Sequence, residues 1–210
     1  MKRRLIVWAL AVGLLSSAGL AFAAEPAPTT VHADYWSPGL FLDGDVLHQS
    51  FANEKGERVH LFSYNGTGYL PLRSAGELMG KQVEWDGEAR AVRLSGVSDA
   101  RTEMTHRDME LEAKLRQEGM EVQLRPDISV YMDGVEQTFT NVNGETVYPA
   151  AFNGSVYLPL RSVGELMGKQ VTWKADPVSG AQMVYLSTPP ARRGGGRPGG
   201  LPGPGPAPGR

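Results

Sequence analysis

A stretch of 21 residues occurs twice in this chain, and this duplication constrains the fold more than any other feature. From Asn65 to Trp85 the sequence is NGTGYLPLRSAGELMGKQVEW, and from Asn153 to Trp173 it is NGSVYLPLRSVGELMGKQVTW. Seventeen of the 21 aligned positions are identical. Chance does not produce so long a match, so we infer a tandem duplication.

Within each copy the pattern predicts a hairpin followed by a short helix. Asn65-Gly66 lies between apolar runs, and Asn-Gly favours the tight turn that joins two antiparallel strands, here 59–64 and 67–70. Pro71 suits the first helical position, apolar residues then recur at helical spacing, and Gly80 suits the end of the helix. A helix this short is unstable alone in water, so we expect it to pack on a sheet.

Two features of this helix indicate how it packs. Gly76 and its counterpart in the second copy weaken a helix interior, and we expect them to allow close approach to the sheet. Arg73 precedes Glu77 by four residues, as Arg161 precedes Glu165, and this spacing predicts a surface ion pair in each copy. The alternative interpretation of the same pair is a ligand-binding site.

The duplicated unit is longer than the identical stretch. A strand that ends in an Asp-Gly turn precedes each copy, at 40–44 and at 130–134. A short apolar strand follows each copy, starting at Val92 and at Val184. Each unit is therefore predicted to contain several short strands and one helix.

This pattern predicts an α+β fold of two tandem small modules, each an antiparallel sheet packed on a short helix. The modules are 39–96 and 126–188. They are joined by a charged connector, 97–125, whose segment 109–118 consists largely of Glu, Leu, Lys and Ala. Within it we predict a helix over 102–118, and Thr105 with Asp108 three residues later resembles a capping box.

The two ends of the chain differ from the modules. Residues 1–23 combine a basic start, an apolar run and an Ala-Phe-Ala cleavage pattern, which is typical of a secretory signal peptide; an uncleaved membrane anchor is the alternative. Residues 24–38 are interpreted as a leader.

Residues 189–210 are mostly Gly and Pro with four arginines, and they predict a disordered tail. We expect a secreted, extracellular protein that associates with the cell wall.

The net charge of the chain limits the classes of partner that it is expected to bind. The formal charge is −2, and without residues 1–23 there are 18 basic against 23 acidic residues, a charge of −5. Such a balance is not that of a nucleic-acid binder, which carries a basic face. The body between signal and tail is more acidic still, so the basic tail is expected to contact anionic wall polymers or lipid headgroups, or to be inert and solvated. Membrane contact is expected only through an uncleaved signal segment or this tail.

The repeated pattern Asn-Gly-x-x-Tyr-Leu-Pro-Leu-Arg-Ser-x-Gly-Glu-Leu-x-Gly-x-x-Val-x-Trp, with its preceding strand and Asp-Gly turn, resembles the copper amine oxidase N-terminal domain family, also called the stalk-like domain. The resemblance implies a small sheet against a short helix, in two tandem copies. In amine oxidases this domain is an appendage, and the copper and quinone belong to a large separate domain with a His-x-His pair. The four histidines here form no such pair, so the resemblance implies no oxidase chemistry.

A search for other chemistry leaves no catalytic site, metal site or cofactor to predict. The chain has no cysteine and no Gly-x-Ser-x-Gly nucleophile motif. Two thioethers, of Met104 and Met109, and the imidazole of His106 suit copper(I). They give only three ligands on a predicted amphipathic helix, so an ordinary surface helix is the favoured interpretation.

The recurring aromatic residues are predicted to form the module cores, and the alternative is that they stack on sugar rings. Together with the arginines they give the candidate binding residues, which are Tyr69, Arg73, Trp85, Tyr157, Arg161, Trp173, Arg192, Arg193 and Arg197. The sequence thus predicts an exported, non-catalytic binding or spacer protein of the cell envelope, with a wall polymer or an envelope protein as partner. The alternative is a small secreted hydrolase or metal-handling protein with an unrecognised site.

Overall fold

The computed structural model describes residues 26–47 and 51–190, so the predicted signal peptide and all but the first two residues of the predicted tail lie outside the described residues. The strands are β1 Thr29–Trp36, β2 Gly39–Leu42, β3 Asp45–Leu47, β4 Leu61–Tyr64, β5 Thr67–Pro71, β6 Gln82–Asp86, β7 Ala91–Ser95, β8 Met120–Leu124, β9 Ser129–Met132, β10 Val135–Gln137, β11 Phe139–Thr140, β12 Thr146–Val147, β13 Ala150–Phe152, β14 Ser155–Pro159, β15 Gln170–Ala175 and β16 Gln182–Ser187. The helices are α1 Leu72–Met79, α2 Met109–Glu118 and α3 Leu160–Leu166.

Six strands close into one barrel in the order β1-β4-β5-β14-β13-β8. The hairpin of the first copy, β4-β5, and that of the second, β13-β14, meet through an antiparallel pair of β5 and β14. In this pair Leu70 lies opposite Leu158, its own counterpart in the other copy, and Tyr69 lies opposite Pro159. The two copies are therefore related by an approximate two-fold axis that passes between these leucines.

The remaining strands are exchanged between the copies. The β9-β10 hairpin of the second copy joins β7 and β6 of the first in a sheet of order β10-β9-β7-β6. The β2-β3 hairpin of the first copy joins β16 and β15 of the second in a sheet of order β15-β16-β2-β3. Both junctions are parallel, with Val92 opposite Val130 and Val184 opposite Leu40. Each small sheet thus needs strands from both copies.

The predicted fold class of two tandem sheet-on-helix modules is wrong. The structure is mostly β, with three short helices and a closed six-stranded barrel built from both copies. The barrel also takes β1 from the segment interpreted as a leader and β8 from the predicted connector, and these two strands pair with each other. The physical reason is that each hairpin alone leaves ladder edges unpaired, and closing a barrel removes those edges.

The local elements of the repeated stretch agree with the prediction. Asn65 and Gly66 have positive φ values of 46° and 72°, as the tight turn requires, and β4 and β5 pair across them. Gly80 caps the end of α1 in the left-handed conformation, as predicted. Pro71 differs from the prediction: it is not the first helical residue but the last residue of β5 and the N-cap of α1, with a ψ of 135°. A Cβ atom at Gly76 would lie 2.1 Å from Cγ2 of Val83, which confirms the close approach of helix and strand.

The connector helix is shorter than predicted. It begins at Met109 because the Asp108 carboxylate accepts a hydrogen bond from the backbone N–H of Leu111 at 2.9 Å, as an N-cap does. Thr105 lies outside it, and its N–H bonds to the carbonyl of Gly56 instead. None of the helices in the described part of the chain is both long and apolar enough to cross a membrane.

Buried side chains form two clusters on opposite faces of the barrel strands. One contains Phe62, Tyr69 and Tyr157, with Leu115 of α2 packed against them. The other contains Leu70 and Leu158 and extends to α1, α3 and both four-stranded sheets. Alternation along β5 and β14 separates the two clusters, since neighbouring residues of a strand point to opposite faces.

Candidate functional site

The repeated aromatic residues divide into a buried pair and an exposed pair. Tyr69 and Tyr157 are almost completely buried, which confirms the prediction that they form the core. Burial raises the pKa of Tyr69 to about 12 and also raises the pKa of Tyr157. Phe62 packs against both rings, with centroids 4.8 and 5.0 Å away. Both side chains therefore expose almost no surface to solvent.

The prediction of a core position is wrong for the two tryptophans. Trp85 is 47% exposed and Trp173 is 36% exposed. Both belong to strands at the edge of a four-stranded sheet, β6 and β15. An edge strand has a neighbour on one side only, so a large side chain there keeps part of its surface in solvent.

Trp173 differs from Trp85 because it stacks on a second indole. Its ring lies 5.0 Å from that of Trp36, at an interplanar angle of 23°. Trp36 is buried, and its Nε1 donates a hydrogen bond to Oε1 of Gln182 at 2.6 Å. One face of Trp173 is thus covered and fixed in place, which leaves the opposite face and edges to supply its exposed surface.

Gly68 makes this stack possible. A Cβ atom there would lie 2.5 Å from Cζ3 of Trp36 and 3.0 Å from Cη2 of Trp173, which is too close for either ring to stay in place. The second copy has Val156 at the corresponding position. The two halves of the molecule therefore differ at this point, and only the half that contains Trp173 has the stacked pair.

A groove opens beside Trp173, which we call the Trp173 groove. It has a volume of about 230 Å³ and lies between the hairpin tip of the first copy and a loop of the second. The residues that line it are Gly66, Thr67, Gly68, Thr140, Asn141, Val142, Pro159, Arg161 and Trp173. An aromatic surface with amide, hydroxyl and guanidinium groups around it suits a small polar ligand.

A second, smaller groove has a volume of about 160 Å³, and we call it the His60 groove. It lies between the loop at Asn53 and the hairpin tip at Asn153, and His106 and Asp108 border it. Its residues are Asn53, Glu57, Arg58, Val59, His60, His106, Asp108, Leu111, Phe152, Asn153, Ser155 and Tyr157. Burial, followed by the charge of Arg58, lowers the pKa of His60, so this imidazole is neutral.

A buried carboxylate lies between α2 and the barrel. Glu112 forms ion pairs with Arg58, Arg107 and Arg116, at 3.4, 2.9 and 2.7 Å. Burial alone would raise its pKa, but hydrogen bonds from Arg116 and Arg107 and the charge of Arg58 lower it to about 2. Arg107 and Arg116 belong to the connector itself, so Arg58, in the loop before β4, is the arginine that links Glu112 to the rest of the protein. Tyr35 of β1 adds a hydrogen bond from its hydroxyl to Glu112 at 3.4 Å.

The predicted ion pair between Arg73 and Glu77 does not form. Arg73 pairs with Glu54 instead, and Glu77 accepts hydrogen bonds from the N–H and the hydroxyl of Thr102, at 2.9 and 2.6 Å. In the second copy, Arg161 is half-buried and has no hydrogen-bond or ion-pair partner among residues 26–47 and 51–190. The two arginines thus have different surroundings.

The remaining candidates do not come together. Met104 and His106 precede α2 and Met109 begins it, so the three do not share a helical face. The described ranges contain no group of three or more His, Cys, Asp or Glu residues that could hold a metal ion. Arg192, Arg193 and Arg197 lie outside the described residues.

Comparison with protein families gives one match, to the copper amine oxidase N-terminal domain, over residues 52–179. The chain belongs to the copper amine oxidase N-terminal domain family. The match is a single copy that runs through both repeats, and it includes no catalytic oxidase domain. Comparison with curated proteins and with solved structures gives no significant match.

One match across both repeats agrees with the exchanged topology, in which neither repeat of this family member forms its sheets alone. Sequence reasoning placed Arg161 and Trp173 among the candidates but missed Trp36, Gly68 and Asn141 beside them. The signal that could have drawn attention to Gly68 is the Gly68/Val156 difference, one of four within the 21-residue stretch.

Proposed function

We propose that the protein is an exported, non-catalytic binding or spacer component of the cell envelope, and that it holds a sugar residue of a wall polymer in the Trp173 groove. The observation that carries this proposal is the partly exposed Trp173 ring, which is fixed by stacking on Trp36 inside a polar groove. A secretory pattern at residues 1–23 supports export.

The stacked pair supports sugar binding for a physical reason. A pyranose ring has one face of C–H groups, which gains free energy when it covers an aromatic surface, while its hydroxyl groups need hydrogen-bond partners at the edge. Thr140 and Arg161 supply such groups around the groove. Since Trp36 already immobilises the indole, binding costs little side-chain entropy.

The family supports the non-catalytic part of the proposal. The matched domain is the one that amine oxidases carry in addition to their catalytic domain. A binding or spacer role requires a stable body and an exposed contact surface, and the barrel with its groove provides both. The arginine-rich tail is proposed as a second, electrostatic contact to anionic polymers.

The experiment is co-sedimentation of the mature protein with isolated cell walls over a range of salt concentrations, with and without residues 189–210. Trp173→Ala is the test variant, and Trp85→Ala is its matched control in the other half. The proposal expects salt-resistant binding by the tailless protein that Trp173→Ala lowers by about tenfold and Trp85→Ala leaves within about twofold.

Two outcomes would overturn the proposal. Binding that disappears without the tail would leave only an electrostatic tether, with no recognition by the groove. Equal losses in the two tryptophan variants would remove the groove as the site, because only Trp173 lies in it.

A further inference from the structure

The two copies contain the same arginine in different electrostatic settings. The loops at 53–57 and 141–145 have the same hydrogen bonds, in which the Asn53 or Asn141 side chain accepts two backbone N–H groups at 2.9 and 3.0 Å. Position 54 of the first loop therefore corresponds to position 142 of the second. It is Glu54 in one and Val142 in the other.

This difference decides what the arginine contacts. Glu54 forms an ion pair with Arg73, whereas Val142 lines the same groove as Arg161 and provides no acidic group. Val142 is 72% exposed, so burial does not require an apolar residue there. The second copy thus keeps the cation and lacks the acid that pairs with it in the first.

The first copy indicates which ligand group would pair with Arg161 in the second copy. A carboxylate beside Arg161 would occupy the place that the Glu54 carboxylate occupies beside Arg73. A planar guanidinium binds a carboxylate through two parallel hydrogen bonds and is weakly hydrated, so a half-buried one is well suited to this contact. Trp173 lines the same groove and would hold the ring that carries the acid.

We propose that the Trp173 groove selects an anionic sugar, namely a carboxylate-bearing residue of a polysaccharide, with the ring on Trp173 and the carboxylate on Arg161. This inference rests on the proposed function and specifies its ligand. The acidic body of the protein, with 14 basic against 23 acidic residues over 24–190, repels anions in general. Selection must therefore come from the local cation.

The probes are three soluble compounds that separate ring, carboxylate and phosphate. N,N′-Diacetylchitobiose, called chitobiose below, is a neutral disaccharide, and the disaccharide of N-acetylglucosamine and N-acetylmuramic acid adds a carboxylate to nearly the same rings. A glycerol phosphate oligomer carries anionic charge without a pyranose ring. Each is titrated into the ¹⁵N-labelled mature protein, and the indole N–H signal of Trp173 reports binding.

The test variant is Val142→Glu, which reproduces the first copy by placing an acid beside Arg161. Its matched control is Glu54→Val, which removes the acid beside Arg73 and leaves the Trp173 groove unchanged. We expect the carboxylated disaccharide to bind about fivefold to tenfold more tightly than chitobiose. Val142→Glu should remove that difference, and Glu54→Val should preserve it.

The outcomes distinguish this inference from the proposed function. If neither disaccharide shifts the Trp173 signal, both are overturned. If both disaccharides bind equally, or if Val142→Glu does not reduce the difference, sugar binding stands and anion selection is overturned. If the glycerol phosphate oligomer binds as tightly as the carboxylated disaccharide, the site recognises phosphate and the assignment to a carboxylated sugar is overturned.

Discussion

Lys81 of the first copy donates hydrogen bonds to both carboxylate oxygens of Asp133 in the second copy, at 2.9 and 2.6 Å. The same contact recurs across the two-fold axis, where Lys169 of the second copy pairs with Asp43 of the first. In both cases the aspartate belongs to the turn of an exchanged hairpin. The pairs thus mark the two places where the copies exchange strands.

These ion pairs should contribute little to stability. Asp133 is about half exposed, and exposed pairs are worth about 0.2–1 kcal/mol because water screens them. Lys81→Met is expected to lower the free energy of unfolding by less than about 1 kcal/mol in urea denaturation. Lys55→Met, at an exposed position, is the control. A loss above about 3 kcal/mol would mean that the pair, and not the strand ladder and core, holds the hairpin.

Gly68→Val should disrupt the indole stack, because the new side chain would enter the space of Trp36 and Trp173. We expect a loss of about 1–3 kcal/mol in the free energy of unfolding and a change in the near-ultraviolet circular dichroism of tryptophan. Thr67→Ser, which copies another difference between the repeats, is the matched control and should leave the spectrum unchanged. An unaltered tryptophan spectrum in Gly68→Val would contradict the stacked geometry.

Gly76→Ala should destabilise the protein although alanine is the better helix former. The gain in helix propensity is about 1 kcal/mol, but the new methyl group would overlap Cγ2 of Val83, so a net loss of about 1–3 kcal/mol is expected. Thermal unfolding measures it. In a Val83→Ala background the overlap is removed, and the same substitution should be neutral or stabilising. A stabilising effect in the unaltered background would contradict the helix–strand contact.

The Glu112 carboxylate should make stability depend on pH in the acid range. Its pKa falls from 4.5 to about 2 on folding, so its contribution is present above pH 4.5 and lost as the pH falls towards 2. A shift of this size corresponds to about 3 kcal/mol. Glu112→Gln should lower stability at pH 7 by about that amount and remove this part of the pH dependence.

Urea denaturation at several pH values between 2 and 7 measures this effect as the difference between wild type and variant. Glu110→Gln, at an exposed position of the same helix, is the control. A difference that stays constant from pH 7 to pH 2 would show that Glu112 is not ionised with a lowered pKa in the folded protein.

The sequence predicts the local structure of the repeats well because short-range chemistry determines it. Asn65-Gly66 forms the turn that its positive φ values favour, and Gly76 marks the close contact between α1 and β6. These features depend on residues that are neighbours in the chain. They would hold in either a modular or an exchanged arrangement.

The exchange itself is not predictable from the same patterns. The strand at Leu40 could pair with the one at Val92 of its own copy or with the one at Val184 of the other, since both are short apolar strands with equivalent positions. The barrel strand β8 did carry a signal. Met120, Val122 and Leu124 alternate with Glu121 and Gln123, as in a half-buried strand.

The sequence predicted some residues of the candidate site and missed others, because its residues come from distant parts of the chain. Arg161 and Trp173 stand out because they recur in both copies. Trp36 and Asn141 come from distant parts of the chain, and only the closed barrel brings them to the same groove. The site thus depends on contacts between residues that are far apart in the sequence, and local sequence patterns do not predict such contacts.

Disulfide mapping tests the strand exchange most directly, because the natural chain has no cysteine. Arg93 lies opposite Tyr131 in the parallel pair of β7 and β9, and adjacent strands bring Cα atoms within disulfide range. We predict that Arg93→Cys/Tyr131→Cys forms an intramolecular disulfide on oxidation, seen by mass spectrometry of peptides from the non-reduced monomer. If each copy folded as a separate module, Arg93→Cys/Phe41→Cys would join two strands of the same module. In the exchanged arrangement this variant should remain reduced. A disulfide in the second variant and none in the first would contradict the exchange.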